Sequence, residues 1–232
     1  MSTTPTEEAR LATEPPGHAG GHDAGEHVNP ERRDHRERLA LYLFIGGDLV
    51  FLLLELFTWF YLRALNTNDE WRCANAVKAA CTDGLGNPIT HEVAKANPTP
   101  TIIISLLVVG AALLLWGNES AARRGDGRSK RTIWVSVGVV CLLMAIATQC
   151  IQFGFLPFST IDGTYASAFE FFMGSTLLHI VLLAFVAVGL WNRTRIGKYD
   201  GPNWYHTRIV RMFAVWIAVS TCVLALVMSL FA

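Results

Sequence analysis

The amino-acid sequence predicts an all-α integral membrane protein built as a bundle of five transmembrane helices. Hydrophobic residues make up 52% of the 232 residues and charged residues only 16%, whereas soluble domains carry about a quarter charged residues. Most of the charges lie in tails and loops between five apolar runs. Each run is about long enough to cross a hydrocarbon core of ~30 Å as a helix, a form that satisfies its own backbone polar groups in lipid.

The five apolar runs also carry aromatic residues near their ends. The runs cover approximately residues 39–62, 101–116, 132–155, 165–191 and 209–231. Tryptophan and tyrosine are enriched where helices leave a membrane, and here they are Trp59, Tyr61, Trp116, Trp134, Tyr165 and Trp191. The second run is the shortest and has room to extend into residues 118–122.

Two domains of different composition are predicted. Residues 1–37 form a polar, mostly disordered arm, because the segment has almost no large apolar side chain to bury. Residues 38–232 form the five-helix domain, with a long external loop at 66–99. His18, His22 and His27 in the glycine-rich arm belong to a solvated tail, and we expect no metal site there. The net charge is zero, and we expect no nucleic-acid partner.

The positive charges predict the orientation of the bundle. Arginine and lysine are concentrated before the first run, between the second and third, and between the fourth and fifth, at residues 32–38, 123–131 and 193–211. The other two loops are poor in both residue types for their length. Because basic loops stay on the cytoplasmic side, the N-terminus is expected in the cytoplasm and the C-terminus outside.

The cysteines fall into two groups. Cys141, Cys150 and Cys222 lie within apolar runs, where a small polarizable side chain packs well. Cys73 and Cys81 lie together in the 66–99 loop. If that loop faces an oxidising compartment, a disulfide between them is expected; the alternative is two unpaired thiols. The predicted external position of the loop favours the disulfide.

Four ionisable residues lie well within the runs: Asp48, Glu55, Glu170 and His179. An ionisable side chain in a bilayer is costly and usually marks a function or a buried partner. Asp48 and Glu55 are seven residues apart, so they share one helix face roughly 10 Å apart along the axis. Glu55 and Glu170 are expected in the outer half, where they face a catalytic or neighbouring subunit. The small residues at 46, 47 and 110–112 are interpreted as close-packing surfaces.

Three functions compete for these residues. A transporter needs carboxylates that converge at the midplane, often beside broken helices, but here the carboxylates are spread in depth and no proline interrupts a run. A b-type cytochrome needs paired axial ligands, and His179 is the one histidine within a run. The third class is an accessory subunit without redox chemistry, whose polar groups serve packing, lipid contact or a partner's proton pathway.

Several motifs resemble subunit III of the haem–copper oxygen reductases. The stretch from Arg38 to Phe51 resembles a family helix with an arginine, an acidic residue ten positions later and then an aromatic residue; Asp48 takes the acidic position. Further matches at the family spacing are Gln149, Phe158, Asp162, Gly163, Tyr165, Ser167 and Phe169, followed by Gly174 and His179. The resemblance runs from about residue 38 to residue 232, and the five-helix length resembles the short bacterial form.

The chain also departs from this family pattern. Gln152 stands where the family usually has glutamate, and Thr176 replaces the first histidine of the family's T-G-F-H-G-x-H-V motif. In the fifth run, His206 and Trp216 do not have the spacing of the family's W-H-F-x-D-x-V-W motif. Glu55 and Glu170 have no family counterpart. The chain is thus expected to be a divergent member.

The resemblance implies an accessory subunit of a respiratory oxygen reductase in a bacterial cytoplasmic membrane. Such a subunit catalyses no reaction and binds neither haem nor copper, which belong to its partners, the catalytic subunit I and subunit II. It holds phospholipids in a cleft between helices 1–2 and 3–5, and Arg38 and Asp48 are expected to support lipid binding and proton uptake. The alternatives are an accessory subunit of a nitric oxide reductase and, in a different class, a small ion or proton transporter.

The charge distribution leads to a testable prediction of topology. Reporter fusions at Arg36 and at Ala232 are expected on opposite sides of the membrane, with the Arg36 fusion in the cytoplasm, because basic loops resist translocation. Activity of a cytoplasmic and a periplasmic reporter at each site measures this. Both fusions on the same side would contradict five crossings.

Overall fold

The computed structural model describes residues 30–65, 96–199 and 205–231, with side chains from residue 35 onward. Its α-helices are α1 (Pro30–Leu65), α2 (Pro98–Arg123), α3 (Arg128–Gly154), α4 (Thr164–Arg195) and α5 (Tyr205–Leu230), and a 3₁₀ turn at Thr160–Asp162 precedes α4. All five helices are long and apolar enough to cross a membrane. The predicted all-α bundle of five transmembrane helices is confirmed. The histidine cluster of the arm and the Cys73–Cys81 pair lie outside the described residues.

The helices are longer than the apolar runs that predict them. α1 begins at Pro30, before the predicted domain boundary at 38, and proline suits the first turn of a helix because its missing N–H is not needed there. α2 begins after Asn97, whose side chain accepts a hydrogen bond from the backbone N–H of Thr99 at 3.0 Å. It continues past Trp116 to Arg123, so that Asn118 and Glu119 lie within the helix.

Small residues let α2 and α3 approach closely. Ala111 and Ala112 are buried in the core, and a Cβ added at Gly138 would lie 3.7 Å from the carbonyl oxygen of Ala111. A Cβ added at Gly117 on α2 would lie 3.0 Å from the ring of Trp134 on α3. A Cβ at Gly46, Gly47 or Gly110 would meet nothing within 4 Å. The predicted close packing therefore holds for the two alanines and is wrong for these three glycines within the described chain.

The helices do not pack in the arrangement that the predicted cleft requires. α2 packs extensively against α3 and α5, α3 packs against α4, and α1 packs against α5 and α4. Within the described residues, α2 belongs to the packed core with α3 and α5, so the predicted cleft between helices 1–2 and 3–5 is not found there. A groove of about 810 Å³ lies instead between α1 and the α4–α5 pair, lined in part by Glu37, Arg193 and His206.

Ion pairs hold the arginine-rich end of the bundle together. This basic end comprises the start of α1, the end of α2, the start of α3, the end of α4 and the start of α5. Glu119 is 1% exposed, lies 2.7 Å from the Nε of Arg211 on α5, and also pairs with Arg123 on its own helix. Arg131 on α3 donates a hydrogen bond of 3.1 Å to the backbone oxygen of Tyr199, after α4. At this end, polar contacts thus join α2 to α5 and α3 to the segment that follows α4.

A tight turn closes the opposite end of the bundle between α3 and α4. Ser159 and Asp162 form a capping box, in which the backbone N–H of Ser159 donates to Asp162 Oδ2 at 2.6 Å. Gly163 has φ +138° and ψ −174°, a conformation that is essentially restricted to glycine. The ring of Phe158, before this turn, packs edge to face against the rings of Tyr165 and Phe169, which follow it. The Asp-Gly step of the resembled motif is thus the point where the chain reverses.

The buried Glu119 leads to a prediction about stability. Glu119→Ala should lower the free energy of unfolding by about 1.5–3 kcal/mol, because it leaves the Arg211 guanidinium partly buried without its carboxylate. Thermal unfolding of the purified protein in detergent measures the loss. Asp126→Ala is the matched control, since Asp126 pairs with Lys130 and Arg124 on the exposed surface, and it should cause no measurable change. Equal effects of the two substitutions would contradict the role of Glu119.

Candidate functional site

A polar centre joins α1, α4 and α5 in the middle of the bundle. Asp48 on α1 is 11% exposed, and its Oδ1 lies 2.7 Å from Nε2 of His179 on α4. Its Oδ2 accepts a hydrogen bond of 2.5 Å from the indole N–H of Trp216 on α5. The two carboxylate oxygens therefore contact two different helices. We call Asp48, His179 and Trp216 the polar centre.

The hydrogen bonds of His179 determine the charge of the polar centre. Nδ1 of His179 lies 2.7 Å from the backbone oxygen of Ser175. A carbonyl oxygen only accepts, so Nδ1 carries a hydrogen. The contact between Nε2 and Asp48 Oδ1 then needs one further proton, held either by the imidazole or by the carboxyl group. In both arrangements the pair of Asp48 and His179 has no net charge, which lowers its cost in the membrane.

Glu55 lies about two turns of α1 after Asp48. Its side chain is 2% exposed. Its carboxyl group lies beside the side chain of Ser175 on α4. Oε1 of Glu55 has no hydrogen-bond partner within the described part of the chain. The prediction that Glu55 faces another subunit is therefore wrong, because the side chain points into its own bundle. Glu55 lies on the same face of α1 as Asp48, as their spacing predicts.

A small cavity connects Glu55 with the polar centre. The space open to the centre of a water molecule is about 10 Å³, and the lining includes Asp48, Glu55, Thr176, His179, Ser220 and Thr221. A cavity of this size holds about one water molecule. The hydroxyl oxygen of Thr176, buried at 5% exposure, has no hydrogen-bond partner among the described residues. The cavity is thus bounded by polar groups from three helices.

Glu170 lies apart from this cavity. It is half-buried near the start of α4 and accepts a short hydrogen bond from the hydroxyl of Thr160 in the 3₁₀ turn. Ser167, one turn earlier, donates to the backbone oxygens of Thr160 and Gly163 at 2.7 and 2.8 Å. Glu170 therefore belongs to the closing turn of the bundle.

The two glutamines of α3 connect neighbouring helices. Gln149 is buried and its amide donates to the backbone oxygen of Met173 on α4 at 3.4 Å. Gln152 donates to the hydroxyl of Thr101 on α2 at 2.9 Å. Tyr165 is buried among aromatic rings, and a Cβ at Gly174 would meet nothing within 4 Å. These motif positions lie at helix contacts, with Gly174 as the exception.

Arg38 and the start of α1 lie beside the groove at the basic end. Arg38 is half-buried near the beginning of α1, and Glu37 pairs with His206 on α5 at 3.3 Å. Phe44 packs edge to face against Phe213 on α5, with ring centroids 5.6 Å apart. Among the described residues there is no group of three or more histidine, cysteine or acidic side chains placed to hold a metal ion.

Sequence analysis did not predict the roles of Trp216 in the polar centre and of Glu119 at the basic end. Trp216 is in the middle of α5, not at a membrane interface, and a tryptophan N–H in that position needs an acceptor. That requirement was the available signal. Glu119 follows the second apolar run, and its spacing of four residues from Arg123 indicated a helical ion pair. Neither signal names the partner on another helix.

The contact between Trp216 and Asp48 leads to a prediction about stability. Trp216→Phe should lower the free energy of unfolding by about 1.5–3 kcal/mol, because a carboxyl oxygen loses a hydrogen bond while the ring remains. Thermal unfolding in detergent measures this. Trp191→Phe is the matched control, since the Trp191 N–H donates to the neutral hydroxyl of Ser136, and its cost should be about 1 kcal/mol. A smaller loss at Trp216 than at Trp191 would contradict the assignment.

The comparisons with known proteins give one distant similarity. No protein-family model matches the chain. The chain is 24% identical over 169 residues to cytochrome c oxidase subunit 3 of Yarrowia lipolytica, and the alignment covers 72% of this chain and 57% of that relative. The chain therefore matches a little over half the length of the relative. The five membrane-length helices and this similarity together indicate a multi-pass membrane protein distantly similar to cytochrome c oxidase subunit 3.

Proposed function

We propose that the chain is a non-redox accessory subunit of a haem–copper oxygen reductase in a bacterial cytoplasmic membrane. The observation that carries this proposal is the similarity to cytochrome c oxidase subunit 3 over most of the chain. The partners are then the catalytic subunit I and subunit II, which hold the haem and copper. The chain itself binds neither and catalyses no reaction.

The geometry of the polar centre supports a positioning role for this chain. Asp48 bonds to His179 and Trp216 within the chain, so its carboxyl group is engaged in joining helices. A group held in this way has a fixed place on the face of α1 that packs against α4 and α5. From there it steadies the surface next to the catalytic subunit and supports proton uptake by that subunit.

The groove at the basic end is the proposed phospholipid site. It lies between α1, α4 and α5 and has a volume of about 810 Å³, with Leu41, Phe185 and Val186 among its apolar lining. Arg193 lines the same groove, and Arg38 lies on the neighbouring part of α1. A guanidinium group binds a lipid phosphate in two-point geometry, while the apolar lining contacts acyl chains. With the N-terminus in the cytoplasm, the bound lipid belongs to the cytoplasmic leaflet.

Co-purification tests the proposed function directly. The full chain, tagged and purified from its native membrane in mild detergent, should bring with it a subunit that gives a haem spectrum in visible light. A haem-bearing partner that reduces nitric oxide and not oxygen would favour the nitric oxide reductase alternative. Sodium or proton flux by the purified chain alone in vesicles, with no haem partner, would overturn the proposal in favour of a transporter.

Substitution of Asp48 tests the supporting role in the assembled complex. Asp48→Ala should leave haem content and initial oxygen reduction nearly unchanged, because no substrate or metal is proposed at this position. It should shorten the working life of the enzyme or slow proton uptake at higher pH. Progress curves of oxygen consumption in proteoliposomes measure both effects.

The controls for Asp48 separate charge from general damage. Asp48→Glu keeps the carboxyl group and restores the usual residue of the resembled family, so it should be tolerated. Glu170→Ala removes a carboxyl group at the far end of α4 and should leave working life unchanged. Immediate loss of turnover by Asp48→Ala in a fully assembled complex would contradict the accessory role and would place Asp48 on a direct ion path.

A further inference from the structure

The buried face of α1 carries a second carboxyl group that the proposed function does not use. Glu55 is 2% exposed and lies among neutral groups of α4 and α5. The groups that face it are Ser175 and Thr176 on α4 and Ser220 and Thr221 on α5. The nearby titratable groups are Asp48 on its own helix and His179 on α4. Among the described lining residues, α5 contributes no charged side chain.

The charges around Glu55 determine its protonation. Asp48 and His179 already form a pair without net charge, since Nδ1 of His179 donates to the Ser175 carbonyl oxygen. An ionised Glu55 would therefore be a buried charge with no counter-charge left for it, which is strongly unfavourable inside a membrane. The neutral state of the three groups holds two exchangeable protons, one in the pair and one on Glu55.

The cavity provides a route between the two carboxyl groups. Seven residues of helix separate Asp48 from Glu55, which places their backbones roughly 10 Å apart along the axis. Both side chains line the same cavity of about 10 Å³, which has room for one water molecule. Oε1 of Glu55 and the Thr176 hydroxyl, which lack partners among the described residues, supply two polar contacts, and a buried water requires two to four.

We propose that Glu55 is a proton-binding site that exchanges its proton with the Asp48–His179 pair through one water molecule held between α1, α4 and α5. In the exchange the O–H bond of Glu55 breaks, the water takes this proton and releases another, and the second proton binds the pair. Glu55 becomes a carboxylate as the pair gains one positive charge. The total charge of the three groups stays at zero, and the positive pair becomes the counter-charge of the Glu55 carboxylate. Separating these two charges in the membrane costs free energy, so the state with a neutral Glu55 remains the populated one. This proton exchange goes beyond the proposed function, because it takes place within this chain and does not require a partner subunit.

Infrared spectroscopy of the purified full-length chain tests this proposal without any partner. A protonated carboxyl group gives a C=O stretching band separate from that of a carboxylate, and exchange into D₂O shifts it. We expect such a band at neutral pH, lost in Glu55→Gln and retained in the matched control Glu170→Gln. Glu55→Asp, which keeps the acid, should retain a shifted band and covers the case in which Glu55→Gln does not fold. A wild-type protein without the band, or a band unchanged in Glu55→Gln, overturns the proposal.

Two further variants test the water and the direction of coupling. Thr176→Val keeps the side-chain shape but removes a hydroxyl from the cavity, so the Glu55 band should move to higher frequency and its exchange into D₂O should slow several-fold. Asp48→Asn should shift the band without removing it. A band and exchange rate unaffected by Thr176→Val would overturn the water-mediated route. Loss of the band in Asp48→Asn would show that Asp48 holds the proton and would overturn the assignment to Glu55.

Discussion

The attachment of α1 to the bundle depends on the carboxyl group of Asp48. The face of α1 that turns toward α4 and α5 carries Asp48, Leu52, Glu55 and Trp59, spaced four, three and four residues apart as one helical stripe. Two of these four side chains are acidic. In lipid, apolar surface alone gives little reason for helices to associate. The bonds from Asp48 to His179 and Trp216 therefore hold α1 where close packing of small residues does not.

α1 differs from the other helices in how it is held, because polar bonds attach it while small residues and an ion pair connect its neighbours. Ala111, Ala112 and Gly138 bring α2 and α3 together, and the Glu119–Arg211 pair joins α2 to α5 at the basic end. Only 17% of the membrane-spanning window of α1 is buried within the chain, against 56% of that of α5. α1 thus leaves a groove beside α4 and presents a broad apolar surface to the membrane or to another subunit.

The helices were predictable from the sequence because length and hydropathy alone decide whether a segment spans a bilayer. The shared face of Asp48 and Glu55 was also predictable, since it depends only on helical spacing. The partners of Asp48 were not, because nothing local relates residue 48 to residues 179 and 216. The predicted cleft was wrong for the same reason: the packing of α2 depends on residues of other helices, such as Gly138 on α3 and Arg211 on α5. Trp216 was discounted by its spacing in a motif, although a tryptophan N–H in the middle of a membrane helix still required an acceptor.

A double-mutant cycle of Asp48→Ala and His179→Ala measures the joint between α1 and α4 most directly. The free energies of unfolding of the wild type, the two single variants and the double variant are compared in one detergent. If Asp48 and His179 bond as their 2.7 Å separation indicates, the double variant should lose less stability than the sum of the single losses, by roughly 1–3 kcal/mol. Losses that add within about 0.3 kcal/mol would show that the two residues act independently and would contradict this role of Asp48.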